Sequence, residues 1–79
     1  MRASDESRLQ DIFRAVFELP PSRDVTAVRQ ISEKSWDSLA HATLVAAIES
    51  EFGISVDIAD ALEMTSFEAT KQLVAEKLP

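Results

Sequence analysis

The fold of this protein is decided by the stretch WDSLAHATLVAAIESEFG, residues 36–53. Its large apolar residues at helical spacing are Leu44, Val45, Ile48 and Phe52. This period predicts a helix that buries one face. The helix is expected to open at Asp37 or Ser38, since both residue types are good N-caps. It is expected to close at Gly53, the only glycine, which can adopt a left-handed C-cap without a Cβ penalty.

A first helix is predicted ahead of this stretch. Its apolar stripe is Leu9, Ile12, Phe13, Val16 and Phe17. Ser7 with Gln10 forms a capping-box pattern, and Ser4 offers a start one turn earlier. Pro20-Pro21 should end the helix, because proline lacks the N–H and restricts the residue before it.

The connection from residue 20 to residue 36 is long, and it carries Val25, Val28 and Ile31. These residues predict that it packs down on the helices, with a short helical turn inside it as an open alternative. Beyond Gly53, we expect extended backbone and then one or two helical turns from Ile58 to Glu63.

A last helix is predicted after these turns. Thr65 with Glu68 forms a second capping-box pattern ahead of it. Its buried stripe is Phe67, Thr70, Leu73, Val74 and Leu78. The predicted fold class is therefore all-α, a four-helix bundle of three longer helices and one short helix with a long first loop.

Composition narrows the functions open to the chain. Its 79 residues are expected to form one domain, residues 1–79, too small for a large enclosed active site. The chain has no cysteine, so thiolate chemistry and disulfides are excluded and a cytoplasmic setting fits. The net charge of −6 argues against nucleic acid and anionic membranes as partners and favours basic protein surfaces. We expect a monomer.

Ser38 is the strongest candidate for chemistry, because a hydroxyl at a helix N-terminus can hold a phosphate ester beside free backbone N–H groups. The simpler interpretation is a helix cap. His41 lies one turn later, but no third residue orients it and no oxyanion hole is evident, so a Ser–His hydrolase is not favoured. We expect His41 at the surface beside Ser38, and Trp36 covering the core. No metal site is predicted, since Asp37 and His41 give too few ligands.

Three segments together resemble the acyl carrier protein family, the four-helix carriers of phosphopantetheine thioesters. They are Asp37-Ser38-Leu39 at the helix start, residues 48–54 (IESEFGI) at its end, and residues 64–69 (MTSFEA) opening the last helix. The tripeptide Asp37-Ser38-Leu39 alone is a weak signal, whereas the three segments in register are a specific one. The resemblance implies an acyl-carrier fold and a non-enzymatic carrier.

The resemblance further implies that Ser38 carries covalent 4′-phosphopantetheine, transferred from coenzyme A by a phosphopantetheinyl transferase. Acyl groups would then be carried on this arm as thioesters in fatty-acid, lipid or secondary-metabolite biosynthesis. The resemblance also implies which residues the partners recognise. These partners are the transferase and acyl-loading and acyl-transfer enzymes with basic docking surfaces, and the residues are Asp37, Leu39, Glu49, Glu51, Asp60 and Glu63. The acids could equally be a solvated helix face.

The chain departs from the usual family pattern. Ser35 stands where a glycine is common, and Ala40, Thr43 and Ser50 replace acids that fatty-acid carriers often have. Ala46 replaces a larger apolar side chain. These differences predict a specialised carrier. The alternatives are an aminoacyl or peptidyl carrier, or a helical interaction module without a prosthetic group.

Overall fold

A computed structural model describes all residues, 1–79. Four α-helices follow one another as α1 (Ala3–Phe17), α2 (Ser38–Phe52), α3 (Ile58–Glu63) and α4 (Phe67–Lys77), with one 3₁₀ turn at Val25–Ala27 between α1 and α2. The predicted all-α fold with three longer helices, one short helix and a long first loop is confirmed. None of the helices combines the length and apolar character that a membrane crossing needs.

Helix α1 begins earlier than either predicted cap. Arg2 is its N-cap, and the Arg2 N–H donates to the Asp5 carboxylate at 3.3 Å. Asp5 and Glu6 stand in the first turn, where negative charge is favoured by the helix dipole. The helix ends at Phe17, and Glu18 takes a left-handed conformation with φ 53° ahead of the two prolines.

The long connection packs against the helices, as predicted, and contains the 3₁₀ turn that the sequence left open. Asp24 caps that turn by accepting the Thr26 N–H at 3.0 Å. Val25 and Val28 are buried. The expectation for Ile31 was wrong, since 90% of it is exposed. The turn is short, and the chain beyond Val28 leaves the core surface before it reaches Ile31.

Helix α2 has the predicted boundaries, with Asp37 as N-cap and Gly53 as a left-handed C-cap with φ 64°. Leu44 and Ile48 are fully buried, but Val45 and Phe52 are only partly so. Phe52 was expected in the core; instead it packs at the core's edge with the Arg8 guanidinium over its ring, 4.8 Å from the centroid.

Helix α4 begins one residue later than the capping-box pattern indicated. Ser66 rather than Thr65 is the N-cap, and its hydroxyl accepts the Ala69 N–H at 3.0 Å. The Thr65 carbonyl accepts the N–H of Gln30, which lies in the long connection, at 2.9 Å. This exchange is part of a short antiparallel contact between the long connection and the start of α4.

The core lies between α1, α4, the long connection and the inner face of α2. Phe13 is at its centre, with ring centroids 5.4 Å from Phe17, 5.6 Å from Trp36 and 5.1 Å from Phe67. Trp36 is buried, as expected. Helix α3 contributes no buried residue of its own. One edge of the bundle is therefore built with little apolar burial, and that edge adjoins Ser38.

Candidate functional site

Ser38 is the first residue of α2, and it is exposed. The Asp37 carboxylate accepts the Ala40 N–H at 2.8 Å, and the His41 N–H starts the helical ladder by donating to the Asp37 carbonyl at 2.9 Å. The N–H groups of Ser38 and Leu39 precede that ladder and have no partner within the helix. A phosphate ester on the Ser38 hydroxyl would meet these donors and the positive end of the helix dipole.

Apolar surface lies on one side of this serine. Leu39 is 78% exposed and Leu62 is 74% exposed, so both differ from core residues of their type. An open groove of about 360 Å³ begins at Ser38 and runs between α2 and α3, with Val45, Val56 and Ile58 among its walls. The residues around Ser38 therefore fit a long, flexible group attached to its hydroxyl, with apolar surface available on one side.

His41 lies beside Ser38, as expected, but it is half-buried rather than at the surface. Its Nδ1 accepts the Trp36 Nε1–H at 2.9 Å, and its Nε2 donates to the Ala61 carbonyl at 2.8 Å. Both ring nitrogens are thus occupied by groups of the protein, so the imidazole does not present a free nitrogen to a phosphate. For the same reason it offers no base to the Ser38 hydroxyl.

Three of the four predicted docking acids bond within the protein. Glu49 accepts the Val56 N–H at 2.9 Å. Glu51 pairs with Arg8, whose Nη2 lies 2.7 Å from the carboxylate and 2.6 Å from the Glu51 carbonyl. Asp60 lies 2.8 Å from the Lys77 ammonium. Glu63, the fourth, is exposed and makes no ion pair.

Two of these ion pairs shift the pKa of at least one of their partners. The hydrogen bond from Lys77 lowers the pKa of Asp60, and the bond to Glu51 raises the pKa of Arg8. Sequence reasoning missed both basic partners, because Arg8 lies 43 residues from Glu51 and no local pattern joins them. No group of three or more His, Asp or Glu side chains lies together in an arrangement that could hold a metal ion.

Comparison with known proteins places this geometry in a family. The family model "Phosphopantetheine attachment site" matches residues 7–74. A chain in the solved structure described as "The ishigamide ketosynthase/chain length factor" is similar, with a TM-score of 0.74 and 28% sequence identity. The alignment covers 96% of each chain, so the two are nearly equal in length. Among curated proteins, none matches this chain.

The family match covers the exposed serine, the capped helix and the groove beside it. Members of this family are carriers rather than enzymes, and they hold a covalently attached 4′-phosphopantetheine. The chain belongs to the phosphopantetheine-carrying acyl carrier protein family.

Proposed function

We propose that Ser38 is the residue that carries the phosphopantetheine arm. The observation that supports this most is its place as the exposed first residue of the capped helix α2. A rigid element presents the hydroxyl, and unpaired helix N–H groups face the position of a phosphodiester. The family match includes this residue.

The attachment step follows from the chemistry of coenzyme A. A phosphopantetheinyl transferase would remove the Ser38 hydroxyl proton, and Oγ would attack the phosphorus of the phosphopantetheine phosphate. An Oγ–P bond forms, the P–O bond to the nucleotide phosphate breaks, and the adenosine bisphosphate leaves. Once attached, the arm supplies a terminal thiol that holds acyl groups as thioesters. The protein's own contribution is to position Oγ and to stabilise the phosphodiester.

We further propose that the carrier serves acyl-chain assembly in secondary metabolism. The support is its similarity over 96% of its length to a chain from a ketosynthase/chain length factor structure. The proposed partners are a phosphopantetheinyl transferase and acyl-handling enzymes of ketosynthase type.

The surface of α2 and α3 indicates how such partners would bind. The first eleven residues of α2, from Ser38 to Ile48, contain no Asp, Glu, Lys or Arg. Three of the four acids expected to dock are bonded internally, whereas Leu39, Ile58 and Leu62 are exposed. We therefore propose a docking surface in which apolar contact dominates, with Glu63 as its free acidic group and with Asp37 exposed beside it while capping α2. Partly screened Glu49, Glu51 and Asp60 would have a secondary role.

Intact mass spectrometry tests the attachment residue. The purified chain, given coenzyme A, magnesium and a broad-specificity transferase, should gain the mass of one phosphopantetheine. Ser38→Ala should abolish the gain completely and keep the helical circular dichroism of the parent. Ser50→Ala is the matched control, because Ser50 is an exposed serine of the same helix, and it should be modified normally. Modification of folded Ser38→Ala would refute the assignment.

A further inference from the structure

Helix α3 is held by few contacts. It has six residues, none of them buried, and it exposes 81% of Ile58 and 74% of Leu62. It packs against α4, and the Asp60–Lys77 ion pair supports that side. A short helix without a buried apolar face has little intrinsic stability. Its position beside α2 must therefore depend on specific polar contacts.

On the α2 side, His41 makes such a contact. The Ala61 carbonyl belongs to the last turn of α3, where it accepts the Met64 N–H at 3.2 Å, and it also accepts the His41 Nε2–H at 2.8 Å. The opposite ring nitrogen receives the Trp36 Nε1–H at 2.9 Å. Because an indole N–H can only donate and a carbonyl can only accept, this pairing makes Nδ1 the acceptor and places a proton on Nε2.

The Trp36 side chain, which donates to His41, is held rigidly by the core. Trp36 is buried, and its ring contacts Phe13 and Phe17 at centroid distances of 5.6 Å and 4.7 Å. The indole is thus fixed by the core, and it fixes the imidazole, which in turn reaches α3. The chain Trp36–His41–Ala61 connects the aromatic core to the helix that has no core residue of its own.

We propose that His41 is a positioning residue that holds α3 against the start of α2, beside the attachment serine. A shallow depression is lined by Ser38, His41, Ala61, Leu62 and Gln30. Loss of the bond to Ala61 would free Leu62 and widen this depression. The functional part of the inference rests on the proposed role of Ser38, since α3 then forms one wall of the surface that partners bind.

Two conservative variants separate the two bonds. His41→Asn places an amide near the position of Nδ1, where it can accept from Trp36 but is too short to reach α3. His41→Gln extends an amide toward the position of Nε2, where it can donate to the Ala61 carbonyl. Circular dichroism checks that each variant is folded.

Nuclear magnetic resonance of the unmodified chain supplies the first readout. Trp36 is the only tryptophan and His41 the only histidine, so each gives one set of side-chain signals. We expect the Nε2–H tautomer, and slow hydrogen exchange at the Trp36 indole that speeds in His41→Gln and not in His41→Asn. Amide exchange across residues 58–63 should speed about three- to tenfold in His41→Asn, as expected for one lost hydrogen bond, and less in His41→Gln. An Nδ1–H tautomer, or α3 exchange that is the same in both variants, would overturn the proposal.

Transferase kinetics supply the second readout. His41→Asn should raise KM for the carrier a few-fold with kcat unchanged, because the binding surface and not the reacting hydroxyl is disturbed. His41→Gln should restore most of that KM. Equal KM values for the parent and His41→Asn would refute the functional part. The resonance experiments need no arm on Ser38, so failure of the positioning role and failure of the attachment assignment give different results.

Discussion

The two sides of this bundle are held together by different forces. On one side, α1, α4 and the long connection bury Phe13, Phe17, Phe67 and Val25 almost completely. On the other side, α3 meets the start of α2 through a hydrogen bond from His41 and leaves Leu62 exposed. Burial of large apolar side chains stabilises the first side, and single polar contacts position the second.

This difference separates stability from function. The proposed attachment serine and the exposed apolar residues lie on the side with little burial, so changes there should affect partner binding without unfolding the chain. The buried aromatic side should behave in the opposite way. Regions with few buried contacts are also those that open locally at low free-energy cost.

The largest expected effect is on the aromatic side. Phe13→Ala should lower the free energy of unfolding by about 3–5 kcal/mol, because Phe13 is fully buried and contacts three other aromatic rings. That is most of the stability expected for a domain of this size. Urea unfolding followed by circular dichroism measures this loss in the free energy of unfolding.

Phe52→Ala is the matched control, since Phe52 is only partly buried at the end of α2. Its loss should cost about 1–2 kcal/mol, including the contact with Arg8. Equal destabilisation by the two substitutions would contradict the difference in burial between the centre and the edge of the core.

A smaller effect, on the rate of acyl loading, is expected from added charge on the proposed docking surface. Thr43 and Ser50 are exposed on α2, where the chain has few free acids. Thr43→Glu with Ser50→Glu should speed acyl loading by basic housekeeping fatty-acid enzymes about three- to tenfold at low ionic strength, and the gain should shrink with added salt. Loading rates of the arm-bearing protein measure it.

The control adds the same charge elsewhere. Ser7→Glu with Ala15→Glu places two acids on exposed positions of α1, away from Ser38. It should leave loading unchanged. If both pairs accelerate loading equally, net charge rather than the α2 surface governs docking. If the parent chain already loads as fast as a housekeeping carrier, the specialised role is lost.

The smallest expected effect is the pH dependence of stability. The pKa of Asp60 is lowered by the hydrogen bond from Lys77, and the Ser35 and Thr26 hydroxyls lower those of Glu33 and Asp24. A carboxyl whose pKa is lower in the folded state adds stability above its unfolded pKa and loses it as pH falls through the folded value. Stability should therefore decline below about pH 4.

Thermal melts across the acid range test this in the parent and in Asp60→Asn. The variant should lose part of the acid dependence, because it lacks one of the carboxyls responsible. Amide exchange should also rise in α3 before it rises in α1, since the Asp60–Lys77 pair joins α3 to α4 and does not involve α1. Simultaneous opening of both helices on acidification would argue that α3 is as firmly held as the core.

The features that the sequence determined alone are local. The 3.6-residue period of apolar side chains located the three longer helices, and Asp37 and Gly53 marked both ends of α2 because capping depends on residues close in the chain. The position of Ser38 at the start of α2 followed from the same local rules. Local patterns were less reliable at the start of α4, where Thr65 and Ser66 are both good caps and pairing with Gln30 engages the first of them.

Only the tertiary structure decided which groups meet across the bundle. Arg8 reaches Glu51 over 43 residues, and His41 reaches Ala61 over 20, and neither spacing has a periodic signature. These contacts depend on how the helices pack, as does the position of Phe52 at the edge of the core. The sequence by itself thus determined that Ser38 stands at the start of α2, because helix periods and caps are local. The packing of distant segments determined which acids remain free and what holds α3 beside that serine.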